Sequence, residues 1–291
     1  MNLADAWKAY EKFEDGKRAD GLSDQTLRSY QKCIRGLLEW LGLKKKEMTS
    51  ETIKEFMQHK LDEKLKPSSM QLYKTTLKMW CGFNKMDFLP IKTPTVRWGM
   101  PKFLRPEQTK AMYAACRTLR EKAMFSTCYS CAMRFEELST RRMQDFEFLE
   151  DIKKARLLVQ GKTGPETDAY EPLTPTSVKD LRAYLDSLPV KLKPSDYVFF
   201  QETDPSKPMP SSTGRDIFYG IMERAKVARG SGAWHRLRHT RATDLMNTDT
   251  PVTTVQVICR HKDIKTTLRY AKTSAETARR QTQGKDILEA K

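Results

Sequence analysis

The sequence has no uninterrupted run of about 18 apolar residues, which is the least that a membrane-spanning helix requires. Its N-terminal segment, Met1–Trp7, also lacks the basic stretch followed by an apolar stretch that marks a secretory signal. Internal repeats and low-complexity tracts are missing as well. These absences argue against a membrane or fibrous protein, and we expect a protein that remains in the cytoplasm.

Cysteine and histidine are scarce, with six and four residues respectively. The scattered cysteines suit a reducing compartment. The pair Cys128-x-x-Cys131 has no second cysteine pair, no nearby histidine and no preceding thioredoxin-like strand, so we interpret both as buried helix residues. The segment Gly161–Thr163 lacks the upstream glycine of a phosphate-binding P-loop. Neither motif indicates a metal site or a nucleotide site. We expect no metal, no cofactor and no small-molecule substrate.

Acidic residues are too few to balance the basic ones. The 291 residues include 53 lysines and arginines against 37 aspartates and glutamates, a formal charge of +16. Basic residues outnumber acidic ones both in residues 1–100 and in residues 101–291, so the excess does not form a tail at one end. This distribution predicts a polyanionic partner, with a merely soluble basic protein as the alternative. The length and the 38% hydrophobic content are enough for about two packed domains.

Residues 1–84 show the apolar spacing of four short amphipathic helices, which predicts a small helical bundle. Ser23, Thr49 or Ser50, and Pro67 are suitable first residues or caps for the second, third and fourth helices. Basic side chains lie between the apolar positions: Arg28, Lys32, Arg35, Lys66, Lys74 and Lys78. A solvated face would explain them, but we favour a face that contacts phosphates.

Residues 85–104 have weak periodicity and contain Pro90, Pro94 and Pro101, which predicts an extended linker. Its basic residues, Lys92, Arg97 and Lys102, are suitably placed to follow a phosphate backbone. Residues 105–274 predict a second domain of helices interrupted by a small antiparallel sheet of about three strands between residues 146 and 173. The fold class is thus mainly α, with an α+β second domain.

The chemistry concentrates between Trp234 and Tyr270. His235 and Arg238 are three residues apart and project from nearly the same side of a helix. His261 and Tyr270 follow. A guanidinium can balance phosphate charge, an imidazole can move a proton near neutral pH, and a phenol can attack phosphorus. The set is therefore suited to a phosphodiester.

These motifs resemble the C-terminal signature of the tyrosine recombinases, the lambda-integrase superfamily. Two upstream segments complete the resemblance: Met133–Leu138 (MRFEEL) is similar to the first-arginine motif of the family, and Val159–Gly164 (VQGKTG) to its lysine turn. The five pieces occur in the family order. The resemblance covers about residues 105–275 closely and the first hundred residues in general character.

The resemblance implies a metal- and ATP-independent strand exchange, in which Tyr270 joins the 3′ phosphate of DNA. It implies that Arg134 and Arg238 contact the non-bridging phosphate oxygens, and that Lys162 donates a proton to the leaving 5′ oxygen. It also implies that His235 assists removal of the proton from the tyrosine, and that His261 donates a hydrogen bond to the phosphate. Glu137 is interpreted as an orienting group, and His59 and His239 as structural residues.

The resemblance also implies a tetramer on paired DNA sites. The segment 275–291 is polar except near Ile287 and Leu288, and we expect it to be a tail that docks on a neighbouring subunit on DNA, with docking on its own subunit as the alternative. The chain departs from the family at one place. The family often has Leu-Gly-His there, whereas this chain has Cys259-Arg260-His261. The local geometry at Arg260 is therefore in question.

The same residues are also compatible with two other functions. A type IB topoisomerase-like enzyme uses a similar set of side chains to relax DNA, although the helical N-terminal domain and the His-x-x-Arg form favour a recombinase. A DNA-binding protein without catalytic activity is the other, although the complete catalytic set argues against it. Because no additional arm-binding domain is evident, the chain resembles compact Xer-type or simple integrases, and we expect it on nucleoid DNA.

Overall fold

The computed structural model describes residues 1–96, 102–149, 154–159, 169–230, 232–248 and 250–271. The chain separates into two compact units, Met1–Gly99 and Met100–Lys291. Each unit has its own hydrophobic core. In the described residues no helix is long and apolar enough to cross a membrane.

The first unit is built from four α-helices, and it confirms the predicted bundle. Their bounds are α1 Leu3–Ala19, α2 Asp24–Lys44, α3 Ser50–Asp62 and α4 Pro67–Phe83. The hydroxyls of Ser23 and Thr49 accept hydrogen bonds from backbone N–H groups in the first turns of α2 and α3, as N-caps do. Pro67 occupies the first turn of α4, where its missing N–H removes no helical hydrogen bond. Local sequence therefore determines where these helices begin.

Large apolar side chains from all four helices fill the core of the first unit. Trp80, Phe56 and Leu37 are completely buried, and each contributes about 1.5–3 kcal/mol by leaving water. The indole Nε1 of Trp80 donates to Met48 Sδ over 3.2 Å, so its polar atom is also satisfied. The apolar stripes that predicted the bundle are the surfaces that form this core.

The described part of the second unit contains eight further α-helices, a short 3-10 helix at Met143–Asp145 and two small sheets. The helices are α5 Pro106–Ala114, α6 Leu119–Ser130, α7 Phe135–Ser139, α8 Pro175–Asp186, α9 Ser211–Arg224, α10 His235–Asn247, α11 Val252–Ile258 and α12 Ile264–Leu268. The strands are β1 Phe146–Phe148, β2 Ala155–Val159, β3 Ala169–Pro172, β4 Phe200–Gln201 and β5 Asp204–Pro208.

The predicted three-stranded sheet is present, with antiparallel order β1-β2-β3. Leu157 in the central strand pairs with Phe146 on one side and Glu171 on the other. The segment that contains Lys162 joins β2 to β3 and lies outside the described residues. The two-stranded sheet β4-β5 was not predicted, because its strands are short and β5 is polar and contains two prolines.

Cysteines and candidate metal ligands do not cluster in the described part of the second unit. Cys128 lies in α6 and Cys131 caps its C-terminus, and both are buried free thiols, in agreement with the interpretation of this pair. Burial raises the pKa of the Cys131 thiol to about 12, which makes it a poor nucleophile near neutral pH. Within the described ranges, no three His, Cys, Asp or Glu side chains are grouped to hold a metal ion.

Candidate active site

Arg134 is placed by a sharp turn between α6 and α7. Ala132 adopts a left-handed backbone conformation, with φ of 47°, and so ends α6 and redirects the chain. Arg134 is the N-cap of α7, and its backbone N–H donates to Glu137 Oε2 over 2.8 Å. Its guanidinium Nη1 also donates to Glu137 Oε1. The first turn of α7 therefore holds both the backbone and the guanidinium of Arg134 in place.

An aromatic stack connects this arginine to the start of α10. The Trp234 indole donates from Nε1 to the Gly214 carbonyl over 2.7 Å, and its ring centroid lies 5.8 Å from that of Phe135. A Cβ at Gly214 would come within 1.9 Å of the Phe135 ring, so only glycine fits there. Because Phe135 follows Arg134 and Trp234 precedes His235, one packed group positions both functional residues.

Arg238 lies one turn after His235 and is buried, with 2% of its surface exposed. Its Nη1 donates to the Ala132 carbonyl over 2.8 Å, and its Nη2 donates to the Cys259 carbonyl. Burial, reinforced by the positive charge of Arg134, lowers the pKa of Arg238 to about 10, so the group stays charged at neutral pH. These bonds hold the guanidinium still and leave part of its donor set for a ligand.

The Glu137 carboxylate lies among three guanidinium groups. In addition to the bond from Arg134, it accepts one from Arg260 Nη2 over 3.0 Å and lies 3.8 Å from Arg238 Nη1. Burial works to raise the pKa of Glu137, but Arg260, the backbone N–H of Arg134, and Arg238 outweigh it and lower that pKa. This arrangement supports the interpretation of Glu137 as an orienting group.

Arg260 occupies the position where the family often has glycine, and its backbone is in the glycine-like region with φ of 50°. Its Nη2 donates to the carbonyls of Cys131 and Ala132 over 3.0 and 3.2 Å, in addition to Glu137. Its Nη1 lies 3.7 Å from Glu171 on β3. These contacts compensate for a conformation that costs a non-glycine residue about 1–3 kcal/mol.

Tyr270 follows α12 and is held close to His261. The Tyr270 N–H donates to the Thr267 carbonyl over 2.9 Å, and Thr267 Oγ1 is also 2.9 Å from His261 Nδ1. The His261 and Tyr270 rings are parallel, with centroids 6.0 Å apart. Burial, reinforced by Cys259, raises the pKa of Tyr270 to about 12, although the charges of Arg238, Arg269 and Arg134 oppose that rise.

His239 contacts the Tyr270 hydroxyl, and its interpretation as a structural residue missed this contact. Its Nδ1 lies 2.5 Å from Tyr270 Oη. His239 is four residues after His235, which places both on one side of α10, and this spacing was the available signal. The sequence did not indicate which element would face that side.

The structure brings Arg134, Glu137, Arg238, His261 and Tyr270 together from α7, α10 and the segments around α12. His235 is exposed at the start of α10. The position predicted for Lys162 lies outside the described residues, as does that of Arg97. The other residues predicted to contact DNA are surface residues, and none forms an ion pair with a described carboxylate: Arg28, Lys32, Arg35, Lys66, Lys78, Lys92 and Lys102 are exposed, and Lys74 is half-buried.

Comparison with known proteins places this arrangement in a family. Residues 102–277 match the model of the phage integrase family. Tyrosine recombinase XerA of Thermococcus kodakarensis is 24% identical over 283 residues, which cover 96% of this chain and 95% of the relative. Tyrosine recombinase XerD of Proteus mirabilis is 28% identical over 277 residues, with 88% and 85% covered.

Two solved structures share the fold. The XerH site-specific recombinase in a post-cleavage complex with palindromic difH substrate matches with a TM-score of 0.72 and 16% identity, covering 94% of this chain and 83% of XerH. A lambda integrase dimer bound to a COC′ core site matches with a TM-score of 0.68 and 15% identity, covering 90% and 76%. The family match spans more than half of the sequence, so this chain belongs to the phage integrase family and is a tyrosine recombinase.

Proposed function

We propose that this tyrosine recombinase cleaves and rejoins specific DNA sites through a covalent link between Tyr270 and a 3′ phosphate. The Tyr270 oxygen attacks phosphorus, the bond to the 5′ oxygen breaks, and a 5′ hydroxyl is released. The phosphotyrosyl ester conserves the energy of the broken bond, so attack by a 5′ hydroxyl from another strand rejoins DNA without ATP. No cofactor enters this scheme.

The observation that carries the proposal is a buried phenol beside an excess of buried and half-buried positive charge. Arg134, Arg238 and Arg260 supply three guanidinium groups, whereas Glu137 and Glu171 supply at most two negative charges. Burial raises the pKa of Glu171 against the influence of Arg260, which reduces its negative charge further. A phosphodiester would balance the remaining charge, and the negative charge that develops in its transition state would balance it better.

Individual roles follow from this charge balance and from the motifs. Arg134 and Arg238 stabilise the non-bridging oxygens, and Glu137 keeps their guanidinium groups in place. Lys162 protonates the departing 5′ oxygen, which is the role that the resemblance gives to the lysine between the first-arginine motif and the His-x-x-Arg motif. A histidine of α10 assists removal of the tyrosine proton, a role that the resemblance gives to His235, and His261 donates to the phosphate.

The substrate is double-stranded DNA, which residues 1–84 and 105–274 contact as a core-binding and a catalytic domain joined by the linker 85–104. The exposed, unpaired cations of α2, α4 and the linker support this role, since backbone phosphates attract such side chains. XerH and lambda integrase, which share the fold, were solved with DNA sites. An Xer-type or simple integrase role on cytoplasmic nucleoid DNA is consistent with these features.

Strand exchange between two duplexes requires four active sites, so the working assembly is a tetramer on paired sites. The segment 275–291, with its apolar residues Ile287 and Leu288, docks on a neighbouring subunit. Truncation after Gly284 tests this part of the proposal. Binding to a single site should persist, whereas cooperative assembly on paired sites should weaken. Normal recombination by the truncated protein would contradict the role of the tail.

The central experiment uses a nicked suicide duplex that loses the 5′ hydroxyl fragment after cleavage. The full chain should form a covalent adduct that survives denaturation, and Tyr270→Phe should bind DNA without forming it. An adduct in Tyr270→Phe would overturn the assignment of the nucleophile. Absence of any adduct in the unaltered chain would favour a DNA-binding protein without catalytic activity. Relaxation of a plasmid that lacks a recombination site would favour the topoisomerase-like alternative.

A further inference from the structure

Burial and charge determine which residue donates the hydrogen bond between His239 and Tyr270. Burial, together with the positive charges of His235, Arg238 and Arg269, lowers the pKa of His239 to about 4. At neutral pH the imidazole is therefore neutral, while Tyr270, with its raised pKa, keeps its proton. The phenol must then donate the hydrogen bond, and Nδ1 of His239 must accept it across 2.5 Å. The nucleophilic hydroxyl thus already points its proton at a basic nitrogen.

We propose that His239, rather than His235, is the general base that takes the Tyr270 proton when the phenol oxygen attacks the scissile phosphate. This inference rests on the proposed function. As the Oη–P bond forms and the bond from phosphorus to the 5′ oxygen breaks, the proton moves from Oη to Nδ1, and Lys162 protonates the departing oxygen. In rejoining, the incoming 5′ hydroxyl returns its proton to Lys162 and attacks phosphorus, the bond from phosphorus to Oη breaks, and the proton on Nδ1 returns to Oη.

The charges around His239 make it a better base when DNA is bound than in the free protein. The positive charges of His235, Arg238 and Arg269 reduce its basicity, and Arg238 is a proposed phosphate ligand. A bound phosphate offsets that charge, so the imidazolium becomes easier to form where cleavage takes place. The free protein therefore keeps the tyrosine protonated, and substrate binding itself prepares proton transfer.

The other two histidines of the site have different geometry. His261 lies parallel to the Tyr270 ring, and its Nδ1 is within hydrogen-bond distance of Thr267 rather than of the phenol oxygen. His235 is exposed at the first residue of α10, one turn before His239. Among the described residues, His239 is the histidine in hydrogen-bond contact with the attacking atom. Its role is thus separable from theirs by experiment.

The decisive variant is His239→Asn, because the asparagine amide retains an acceptor near the Nδ1 position but cannot take a proton. Single-turnover cleavage of the suicide duplex should be slower by about 10²–10⁴-fold, the usual contribution of a general base, with duplex affinity unchanged. His239→Ala should show at least the same loss. The matched control is His59→Asn in α3, a half-buried histidine outside the proposed site that should leave cleavage unaltered.

Chemical rescue distinguishes proton removal from a structural role. Replacing Tyr270 with 3,5-difluorotyrosine lowers the phenol pKa, so less of the reaction depends on a base. The fluorinated residue should restore much of the cleavage rate in His239→Asn but not in Lys162→Ala, whose missing proton belongs to the leaving group. Folding of each variant is verified by its melting temperature and by its duplex affinity.

Several outcomes would overturn the role of His239 while leaving the proposed function intact. A normal cleavage rate in His239→Asn would overturn it, and so would faster cleavage, which would show that the contact only restrains the tyrosine. Slow cleavage that the fluorinated residue does not rescue would show that His239 has a structural role. Rescue of His235→Asn but not of His239→Asn would show that His235 is the general base. By contrast, an adduct in Tyr270→Phe would remove the proposed nucleophile itself.

Discussion

Arg260 joins Glu137 to the sheet, because its guanidinium donates to Glu137 over 3.0 Å and lies 3.7 Å from Glu171. Glu137 belongs to α7 and Glu171 to β3, the strand that follows the segment containing Lys162. Arg260 directly precedes His261. This single side chain therefore connects three parts of the proposed site, at a position where the family often has no side chain.

Replacing Arg260 by glycine should destabilise the protein even though glycine suits the backbone. The relief of the left-handed conformation is worth about 1–3 kcal/mol, whereas a buried carboxylate that loses its partner costs about 3–5 kcal/mol. We expect a lower free energy of unfolding in urea and slower cleavage for Arg260→Gly. The double variant Arg260→Gly with Glu171→Gln should recover part of the stability. Equal stability of the two variants would show that Glu171 does not depend on Arg260.

Arg134→Ala and Arg238→Ala should both reduce cleavage by about 10²–10³-fold, because each removes a group that stabilises transition-state charge. Their stabilities should differ. Arg134 is one-third exposed, with 35% of its side chain accessible, and its loss should hardly change unfolding. Arg238 satisfies two backbone carbonyls, and leaving them unpaired costs about 1–3 kcal/mol. Suicide-substrate cleavage, duplex affinity and urea unfolding measure the three quantities, and full-rate cleavage by either variant would contradict its role.

Lys162→Ala should be slow on ordinary DNA and largely restored on DNA with a 5′-bridging phosphorothioate. Sulfur is a good leaving group that needs little protonation, so the substrate replaces the missing acid. The measurement is the ratio of single-turnover rates on the two substrates, with Arg134→Ala as the control that sulfur should not rescue. Equal impairment of Lys162→Ala on both substrates would leave the lysine as a phosphate contact.

The exposed basic face of α2 should account for part of the salt dependence of DNA binding. Arg28 and Lys32 are one helical turn apart and exposed. If both contact phosphates, the double alanine variant should reduce the slope of log affinity against log salt by about 1.8, since each contact contributes about 0.9. Lys8 and Lys12 on α1 have the same spacing and exposure, and their double alanine variant is the matched control. Equal effects of the two variants would indicate non-specific attraction.

Stability of the catalytic unit should decrease as the pH falls from about 6.5 to about 4. Burial and nearby positive charges lower the pKa values of His239 and His261 from 6.5 to about 4. Between these values the unfolded chain binds more protons than the folded one, so acid favours unfolding. Each histidine contributes at most about 3.5 kcal/mol, because each unit of pKa difference is worth about 1.4 kcal/mol. The double variant His239→Asn, His261→Asn should show a flatter pH dependence of urea unfolding, and an unchanged dependence would contradict this assignment.

The helical bundle and most of the second unit follow from local sequence. Apolar spacing predicted α1–α4, and Ser23, Thr49 and Pro67 indicated where helices begin, because caps act within one turn. The alternation and the turn around residues 146–173 predicted the three-stranded sheet. The weak pattern of β4-β5 did not reveal it, since two short strands gain their stability from the surface on which they pack.

The sequence by itself determined the chemical inventory: two arginines, a lysine, histidines and a tyrosine in the order of one family. Only the tertiary structure decided that His239 meets Tyr270, which is 31 residues away, and that Arg260 reaches Glu137, which is 123 residues away. Helical spacing in the sequence predicts which side chains lie on the same face of a helix, but it does not predict which element packs against that face. That information comes from the folding of separate elements around a common core, where burial and charge then determine which group carries the proton.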